Sequence, residues 1–505
     1  MMIQKKISPV ELMEAVITRV NEINPRLNAI CTFTPEKALE EAKQAEAAVQ
    51  QGRTLGPLHG IPVTIKDLVF TSGIRTMGGS RIFENRIPDF DGVVVTRLQQ
   101  AGGISLGKTT TPEFGWKGCS QSPLTGISHN PWKEGMNAGG SSTGAAICAA
   151  FAGDLISLFV FWELTAITSV FLIWAVRSER AFRAGMRYLV IQIGSGVLLL
   201  SGAILIIGET GSVTFGQIGV ESLGGKLILI SFGIKAAFPL LHNWLQDAYP
   251  QATPTGTVFL SAFTTKLAVY ALARGFSGTE ILIYIGAAMT AFPVFFAVIE
   301  NDLRRVLAYS LNNQLGFMVV GIGVGTELAL NGTAAHAFAH ILYKALLFMS
   351  MGAVLYRTGT IRASDLGGLY RSMPWTTAFC IVGAMSISAF PLFSGFVAKS
   401  LTMSAVVEGY YVLAFVGLLI ASAGVMEHSG IKIPYFAFFG HDSGIRCREA
   451  PFHMCLAMGA TAVLCIGIGW FPAPLYAILP YPVLYQPYAD LGHSLTQLQL
   501  LLFAA

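Results

Sequence analysis

Ten apolar stretches of transmembrane length follow one another between residues 155 and 472, a series that only a membrane bundle accommodates. They fall near 155–176, 188–208, 226–245, 255–273, 279–299, 306–326, 333–355, 374–397, 408–427 and 454–472. Charge separates this region from what precedes it. The 505-residue chain is 53% apolar and 12% charged, against about a quarter charged in soluble domains. Of its 62 charged residues, 28 lie within residues 1–150 and 34 in the following 355. The chain therefore reads as two bodies. Residues 1–150 form a water-compatible α/β segment, and residues 151–505 form a mainly α, polytopic transmembrane bundle.

Composition excludes several classes of function. A net charge of +4, dispersed along the chain, leaves no footprint for nucleic acid. The seven cysteines (Cys31, Cys119, Cys148, Cys380, Cys447, Cys455 and Cys465) show no CxxC and no metal-ligand spacing. They read as reduced thiols packed as small hydrophobes, so neither metal nor cofactor is expected. The opening MMIQKKISPVELMEAV lacks the apolar core of a signal peptide.

The loops fix the topology. Arginines concentrate after the first, fifth and seventh spans: Arg177, Arg180, Arg183 and Arg187, then Arg304 and Arg305, then Arg357, Arg362 and Arg371. All three spans are odd-numbered, so these loops share one face, which the positive-inside rule makes cytoplasmic. The loop after the second span, ETGSVTFGQIGVESLGG, is acidic and belongs opposite. In the first body, SPVELMEAVITRVNEINPRLNAI and PEKALEEAKQAEAAV predict two amphipathic helices, the first opened by Ser8, Pro9 and Glu11 as N-cap, first-turn proline and capping-box acid. Residues 55–110 predict short strands, in IPVTIKD, DGVVVTRLQQAG and ISLGKT, between Gly-rich turns.

Ionisable residues at membrane depth are costly and mark ion or proton pathways. Seven stand out: Glu163 within LFVFWELTAITSVF, Lys235 four residues before Pro239, Lys266 within SAFTTKLAVYALA, His336, His340 and Lys344 at i, i+4 and i+8, and Lys399 in the Pro/Gly-interrupted AFPLFSGFVAKSLTM. Each alone has a second reading, as a buried polar residue satisfied by a neighbour or snorkelling to the interface. Together they predict a relay. Burial disfavours a charged lysine and a nearby carboxylate favours it again, so a charge moved at Glu163 alters the proton affinity of Lys235 and onward through Lys266. Two broken helices, each with a lysine in corresponding positions of two halves, predict an inverted-repeat transporter. Their breaks leave backbone groups to line a hydrated path.

The text around these residues is specific. FWELTAITS, FGIKAAFPLLHNWLQDAYPQATPTGT, ENDLRRVLAYSLNNQLGFM, HAFAHILYKALLFMSMGAV and PLFSGFVAKS resemble the antiporter-like membrane subunits of Mrp cation/proton antiporters and complex I, over about residues 153–503. HSGIKIPYFAFFGHDSGIRCREAP and PAPLYAILPYPVLYQPY resemble the D-type Mrp subunits more than complex I. The resemblance implies proton and monovalent-cation (Na+ or K+) translocation by a subunit set among other membrane subunits of an antiporter or NADH-quinone oxidoreductase-like complex, multi-pass in the bacterial inner membrane. It implies Glu163 and Lys235 as the coupled pair of a first half-channel, Lys266 with His336, His340 and Lys344 as the central link, and Lys399 as the terminal lysine of a second. It also implies about four further spans ahead of Glu163, so the bundle reads as N-terminally truncated, and another span near QLQLLLFAA.

In the first body, GPLHGIPVTIKDLVF with Lys66 and NAGGSSTGAA with Ser141 and Ser142 suggest a lysine base that draws a proton through a serine. With GISLGKTTTPEFGWKG and SHNPWKEGMNAGGSS, residues 7–147 resemble an incomplete amidase signature domain, whose catalytic set is Ser–Ser–Lys. Lys66 and Ser141 match the lysine and the bridging serine. The nucleophilic serine has no counterpart: its place falls at Thr165 to Ser169, inside the Glu163 span. The three lysine and serine residues thus read as a vestigial set, and the whole as a fusion of two fragments. The alternatives are an amidase tethered to a membrane and a membrane scaffold without transport.

Overall fold

The computed structural model describes residues 7–53, 55–115, 121–130, 133–137, 153–489 and 491–505. The chain divides into two compact units, Met1–Phe151 and Ala152–Ala505, each with its own core.

The first unit runs α1 (Pro9–Leu27), β1 (Ile30–Phe33), α2 (Pro35–Gln50), β2 (Pro62–Lys66), α3 (Val93–Gln100) and β3 (Ile104–Thr109). The capping box forms as the sequence predicts: Ser8 Oγ accepts from Val10 N and Glu11 N, while Ser8 N donates to Glu11 Oε2 at 3.0 Å. β3 lies between β1, antiparallel to it, and β2, parallel to it. The core is small and alanine-rich, with Met13, Ala38, Ala42, Ile104 and Leu106 at its centre. The structure corrects one expectation. The valine run of DGVVVTRLQQAG is helix α3, capped by Gly92, not a strand. A strand buries alternate residues, but here only Val95 is buried, while Val93 and Val94 stand exposed as a one-sided helix requires. Among the described residues no strand pairs with the outer edges of β1 or β2, and Ile82, Ile87 and Phe90 are also exposed.

The second unit contains α4 (Leu155–Trp174), α5 (Glu179–Thr210), α6 (Leu223–Ala236), α7 (Asn243–Ala248), α8 (Pro254–Gly275), α9 (Ile281–Ile299), α10 (Leu303–Val324), α11 (Glu327–Thr358), α12 (Pro374–Ile387), α13 (Ser394–Glu408), α14 (Val412–Phe439), α15 (Phe452–Trp470) and α16 (Leu491–Ala504). Seven of them (α4, α5, α8, α9, α11, α14 and α15) are long and apolar enough to cross a membrane. The other three expected spans differ for physical reasons. α10 is long enough but carries Arg304, Asn312, Asn313 and Gln314 in its buried surface. The segments expected at 226–245 and 374–397 are each broken by proline into two shorter helices. QLQLLLFAA, where the resemblance implies a further span, completes the 14-residue α16.

The two breaks are copies of one another. Ala237-Phe238-Pro239-Leu240 follows α6 and Ala389-Phe390-Pro391-Leu392 follows α12. In both, the alanine and the leucine are left-handed: φ is 63° and 69° in the first break, 57° and 71° in the second. Alanine in this region is rare, and its recurrence marks one backbone solution used twice. The motif also corrects the expected equivalence of the lysines. Lys235 lies two residues before its break, where the second copy has Ile387; Lys399 lies ten residues into its motif, where the first copy has Asp247. The lysines flank equivalent breaks from opposite sides.

The arginine-bearing segments gather at one end of the bundle, as their odd-numbered spacing predicts. Arg187 and Arg305 both pair with Asp247, Arg305 also reaches Glu300 at 3.7 Å, and Asn301 Nδ2 donates to Ser364 Oγ at 3.0 Å. Arg304 is not a loop residue. It is 2% exposed, and its guanidinium donates to Pro250 O, Ala252 O and Thr257 Oγ1, fastening the turn between α7 and α8.

Candidate ion-translocation site

Glu163 points from α4 towards α5. Its Oε1 is buried without a hydrogen-bond partner and occupies the space that a side chain at position 196 would fill. Glycine at 196 is therefore what gives the carboxylate its place. Lys235, fully buried in the last turn of α6, donates to Trp162 O at 2.8 Å and holds its Nζ 4.1 Å from the centre of the Trp162 ring. The ammonium thus sits at the negative end of its helix and over an aromatic face, both favourable for a cation. The residue before Glu163 carries the contact, and Glu163 and Lys235 make no ion pair with each other, although they lie within electrostatic reach. Ser195 and Ser231 lock α5 to α6 beside them: Trp162 Nε1 donates to Ser195 Oγ at 2.9 Å, and Ser231 Oγ donates to Ser195 O at 2.6 Å.

Because the atoms nearest an added methyl group at Gly196 are the Oε1, Cδ and Cγ of the flexible Glu163 side chain, Gly196→Ala is expected to fold normally yet displace the carboxylate. Cation-dependent proton movement in membrane vesicles should fall while the amount of protein in the membrane stays unchanged. Equal transport by the alanine variant would sink this role for Gly196.

Lys266 follows a π-helical turn, Leu260–Thr264, inside α8. The widened turn presents Ser261 O to the side chain, which donates to it at 2.6 Å. π-turns of this kind recur at functional sites. On α11, His336, His340 and Lys344 lie along one buried face, as their spacing predicts. His336 Nε2 meets Gln314 Oε1 at 3.1 Å and Tyr343 OH at 2.9 Å, and Tyr343 OH donates to Gln314 Oε1 at 3.0 Å. Both ring nitrogens of His340 and the Lys344 ammonium have no hydrogen-bond partner among the described residues. Buried polar atoms without partners are expensive, and here they cluster: Lys266, Lys344 and Lys399 all bear electrostatically on His340.

Lys399, 3% exposed on α13, donates to Ile387 O at 2.8 Å. That carbonyl closes α12 and belongs to the residue equivalent to Lys235 in the first break. The ammonium also faces the Phe317 ring at 5.0 Å, and Phe317 in turn contacts the His336 ring edgewise at 5.7 Å. An aromatic ring thus stands between Lys399 and the histidine face.

All seven residues singled out in the sequence lie in the bundle, six of them buried and Glu163 half-buried with its Oε1 enclosed. No hydrogen bond joins any two of them among the described residues; each lysine other than Lys344 rests on a main-chain carbonyl instead. The sequence reading missed several members of the polar interior. His428 lies in a second π-helical turn, Met426–Ile431, and its Nδ1 meets Ser429 Oγ at 2.8 Å, which donates to Ser310 Oγ at 2.9 Å. Gln192 and Asn312 are buried with both amide atoms unpartnered. Uncharged polar residues inside apolar spans were the available signal.

With this geometry in place, comparison with known proteins is decisive for the bundle. Residues 152–424, more than half of the chain, match the model of the NADH:quinone oxidoreductase/Mrp antiporter transmembrane family. The chain belongs to that family. It is 31% identical over 357 residues to the D subunit of the Na(+)/H(+) antiporter of Alkalihalophilus pseudofirmus, covering 66% of this chain and 72% of that relative. Its fold is similar to a chain in the structure of the Mrp complex from a Dietzia species, with a TM-score of 0.62 and 25% identity, covering 66% of this chain and 74% of that one. Residues 11–158 match the amidase model. There the chain is 46% identical over 144 residues to an acylamidase of Rhodococcus erythropolis, which is 28% of this chain and only 30% of that enzyme's length.

Lys66, at the end of β2, is the member of the amidase-like set that the structure describes; Ser141 and Ser142 lie outside the described residues. Burial pushes the Lys66 ammonium down to about 8. The folded amine is then half neutral near pH 8, whereas an unfolded lysine reaches that point near about pH 10.4. Stability contributed by this residue therefore rises with pH across that window. Acetylation of Lys66, followed by mass spectrometry, should show a midpoint near pH 8; a midpoint near that of an unfolded lysine would contradict it. Thr165 and Ser169, where the amidase nucleophile is expected by position, are helical residues of α4. Their hydroxyls are engaged by Phe161 O at 2.8 Å and by Tyr188 OH at 2.7 Å.

Proposed function

We propose that residues 151–505 move protons, coupled to a monovalent cation such as Na+ or K+, across the bacterial inner membrane. The subunit works among other membrane subunits of an antiporter or respiratory-type complex, with the arginine-rich end in the cytoplasm. One observation carries this reading: Lys235, Lys266, Lys344 and Lys399 are buried without a carboxylate in salt-bridge contact among the described residues. A structural lysine at such depth is normally neutralised by a partner. Three of these lysines rest instead on main-chain carbonyls, of Trp162 within α4, Ser261 in the π-turn of α8 and Ile387 at the end of α12; a carbonyl accepts from the protonated or the neutral amine alike, so the charge is free to come and go.

The relay then runs from Glu163 and Lys235, through Lys266 and the His336, His340 and Lys344 face, to Lys399. Gaps such as that across Phe317 are bridged by water rather than by direct bonds. The relatives support a transport role by family, and the buried lysines supply the chemistry. The deciding experiment uses vesicles from cells lacking their own cation/proton exchangers and expressing the full chain with sibling subunits. Na+ or K+ should collapse an imposed pH gradient, and no collapse by the wild-type chain would leave the scaffold reading in its place.

A further inference from the structure

The two proline breaks share more than their φ angles. In the first, Ala237 N donates to Ile234 O, Phe238 N to Gly233 O and Leu241 N to Phe238 O. In the second, Ala389 N, Phe390 N and Phe393 N donate to Ser386 O, Met385 O and Phe390 O, the same three bonds at the same spacing. The copies part at the leucine. Leu240 is 90% exposed, and its N–H has no hydrogen-bond partner among the described residues. Leu392 is 48% exposed, and its N–H donates to Tyr488 OH at 3.1 Å.

Tyr488 lies in the segment that follows α15, and its other contacts tie the break to two helices. Its hydroxyl donates to Gly469 O at 2.6 Å, one of the last carbonyls of α15, which a helix end leaves without a partner of its own. Gly469 leaves no room for a side chain beside the Leu392 carbonyl, so the end of α15 lies directly against the break. The Tyr488 ring stacks on Phe396, with centroids 5.4 Å apart and planes at 21°. Phe396 stands in the first turn of α13, three residues before Lys399 and so beside it on the helix surface. The same segment is fastened to α11, where Asn331 Nδ2 donates to Tyr481 O and Tyr481 N to Asn331 Oδ1, both at 3.0 Å.

This tie bears on the lysine because of where its acceptor lies. Lys399 is on α13 and Ile387 O closes α12, so the break between them sets their separation. Lys235 has no such dependence: its acceptor, Trp162 O, is on α4. A left-handed leucine is sterically disfavoured and persists only where its surroundings hold it. A backbone N–H bound to a fixed hydroxyl is such a hold.

We propose that Tyr488 is a positioning residue for Lys399: by fixing the Leu392 backbone it sets the second break and keeps Ile387 O within reach of the ammonium, a tie that the first break lacks. Its effect on proton movement rests on the transport reading above; the tie itself does not.

Tyr488→Phe removes the hydroxyl and keeps the ring on Phe396. Hydrogen exchange of the full chain in lipid nanodiscs, resolved at the Leu392 and Leu240 amides, reads the tie. In the wild type the Leu392 amide should be the slower of the two, and in the variant it should speed up by roughly tenfold, the scale of one hydrogen bond, with Leu240 unchanged. In vesicles with sibling subunits, the maximal rate of cation-dependent proton movement should fall by about tenfold or more, since a misplacement of about 1 Å is costly on that scale. The half-saturating cation concentration should stay the same, because placement within the relay is lost and not cation binding. Tyr476→Phe is the control: it removes the same atom from the same segment, but its acceptor, Val397 O, keeps the bond from Ser400 Oγ at 3.1 Å, so transport should match the wild type. Wild-type transport by Tyr488→Phe, an unchanged Leu392 amide, or an equal loss in Tyr476→Phe overturns the assignment. If Tyr488→Phe does not reach the membrane, the wild-type amides decide, and equal exchange at Leu392 and Leu240 overturns the tie. A wild-type chain that moves no protons defeats the transport reading alone, and the exchange at Leu392 still decides whether Tyr488 holds the break.

Discussion

Glu163→Gln is expected to abolish cation-dependent collapse of a pH gradient, a fall of about 10²-fold or more on the scale of a lost proton-transfer group, while the protein still reaches the membrane in normal amount. Glutamine keeps the size of the side chain and fits beside Gly196, so packing between α4 and α5 is preserved. What is lost is the charge that acts on Lys235 across a gap no hydrogen bond fills. Because Oε1 has no fixed partner, no structural bond at that atom is broken by the change. Glu163→Asp keeps the charge one methylene short and should recover part of the activity. A glutamine variant with wild-type transport would remove Glu163 from the relay.

A second large effect is expected at Lys399. Lys399→Met has nearly the same length and apolar stem, so the bundle should assemble, at the cost of an unpaired Ile387 carbonyl of about 1–3 kcal/mol. Transport should fall as far as in Glu163→Gln. Lys399→Arg discriminates between roles. An arginine keeps the positive charge and a donor for Ile387 O, but it does not give up its proton in a protein. If Lys399 only pins α13 to α12, arginine restores function in the vesicle assay. If Lys399 must lose and regain a proton, the arginine variant stays as inactive as methionine, with normal expression and thermal stability. Recovery of transport by arginine would reassign Lys399 as a positioning residue.

Much of this was legible in the sequence because the membrane leaves few choices. Lys235, Lys266 and Lys344 could be picked out in apolar text since a charge at that depth needs a reason, and the i, i+4, i+8 spacing of His336, His340 and Lys344 puts them on one face by helical geometry alone. Less accessible was what each lysine touches. The carbonyls of Trp162, Ser261 and Ile387 are invisible in the sequence: those of Ser261 and Ile387 are opened by a π-turn and a helix end, and that of Trp162, within α4, is met only because Lys235 reaches it from α6. The π-turns at Leu260–Thr264 and Met426–Ile431 carry no compositional mark. The repeated Ala-Phe-Pro-Leu was readable as text. Its meaning as one backbone conformation used twice required the φ angles.

The amino-acid sequence by itself determined membrane residence, the order of the helices, the common face of the arginine segments and the identity of the buried charges. These follow from hydropathy and periodicity, which act locally along the chain. The tertiary structure alone decided that Lys235 and Lys399 approach equivalent breaks from opposite sides, that Arg304 is buried as a fastener, and that α16 lines a cavity beside Lys399. Those outcomes depend on which surfaces meet when helices far apart in the chain pack together, and no local pattern encodes that meeting.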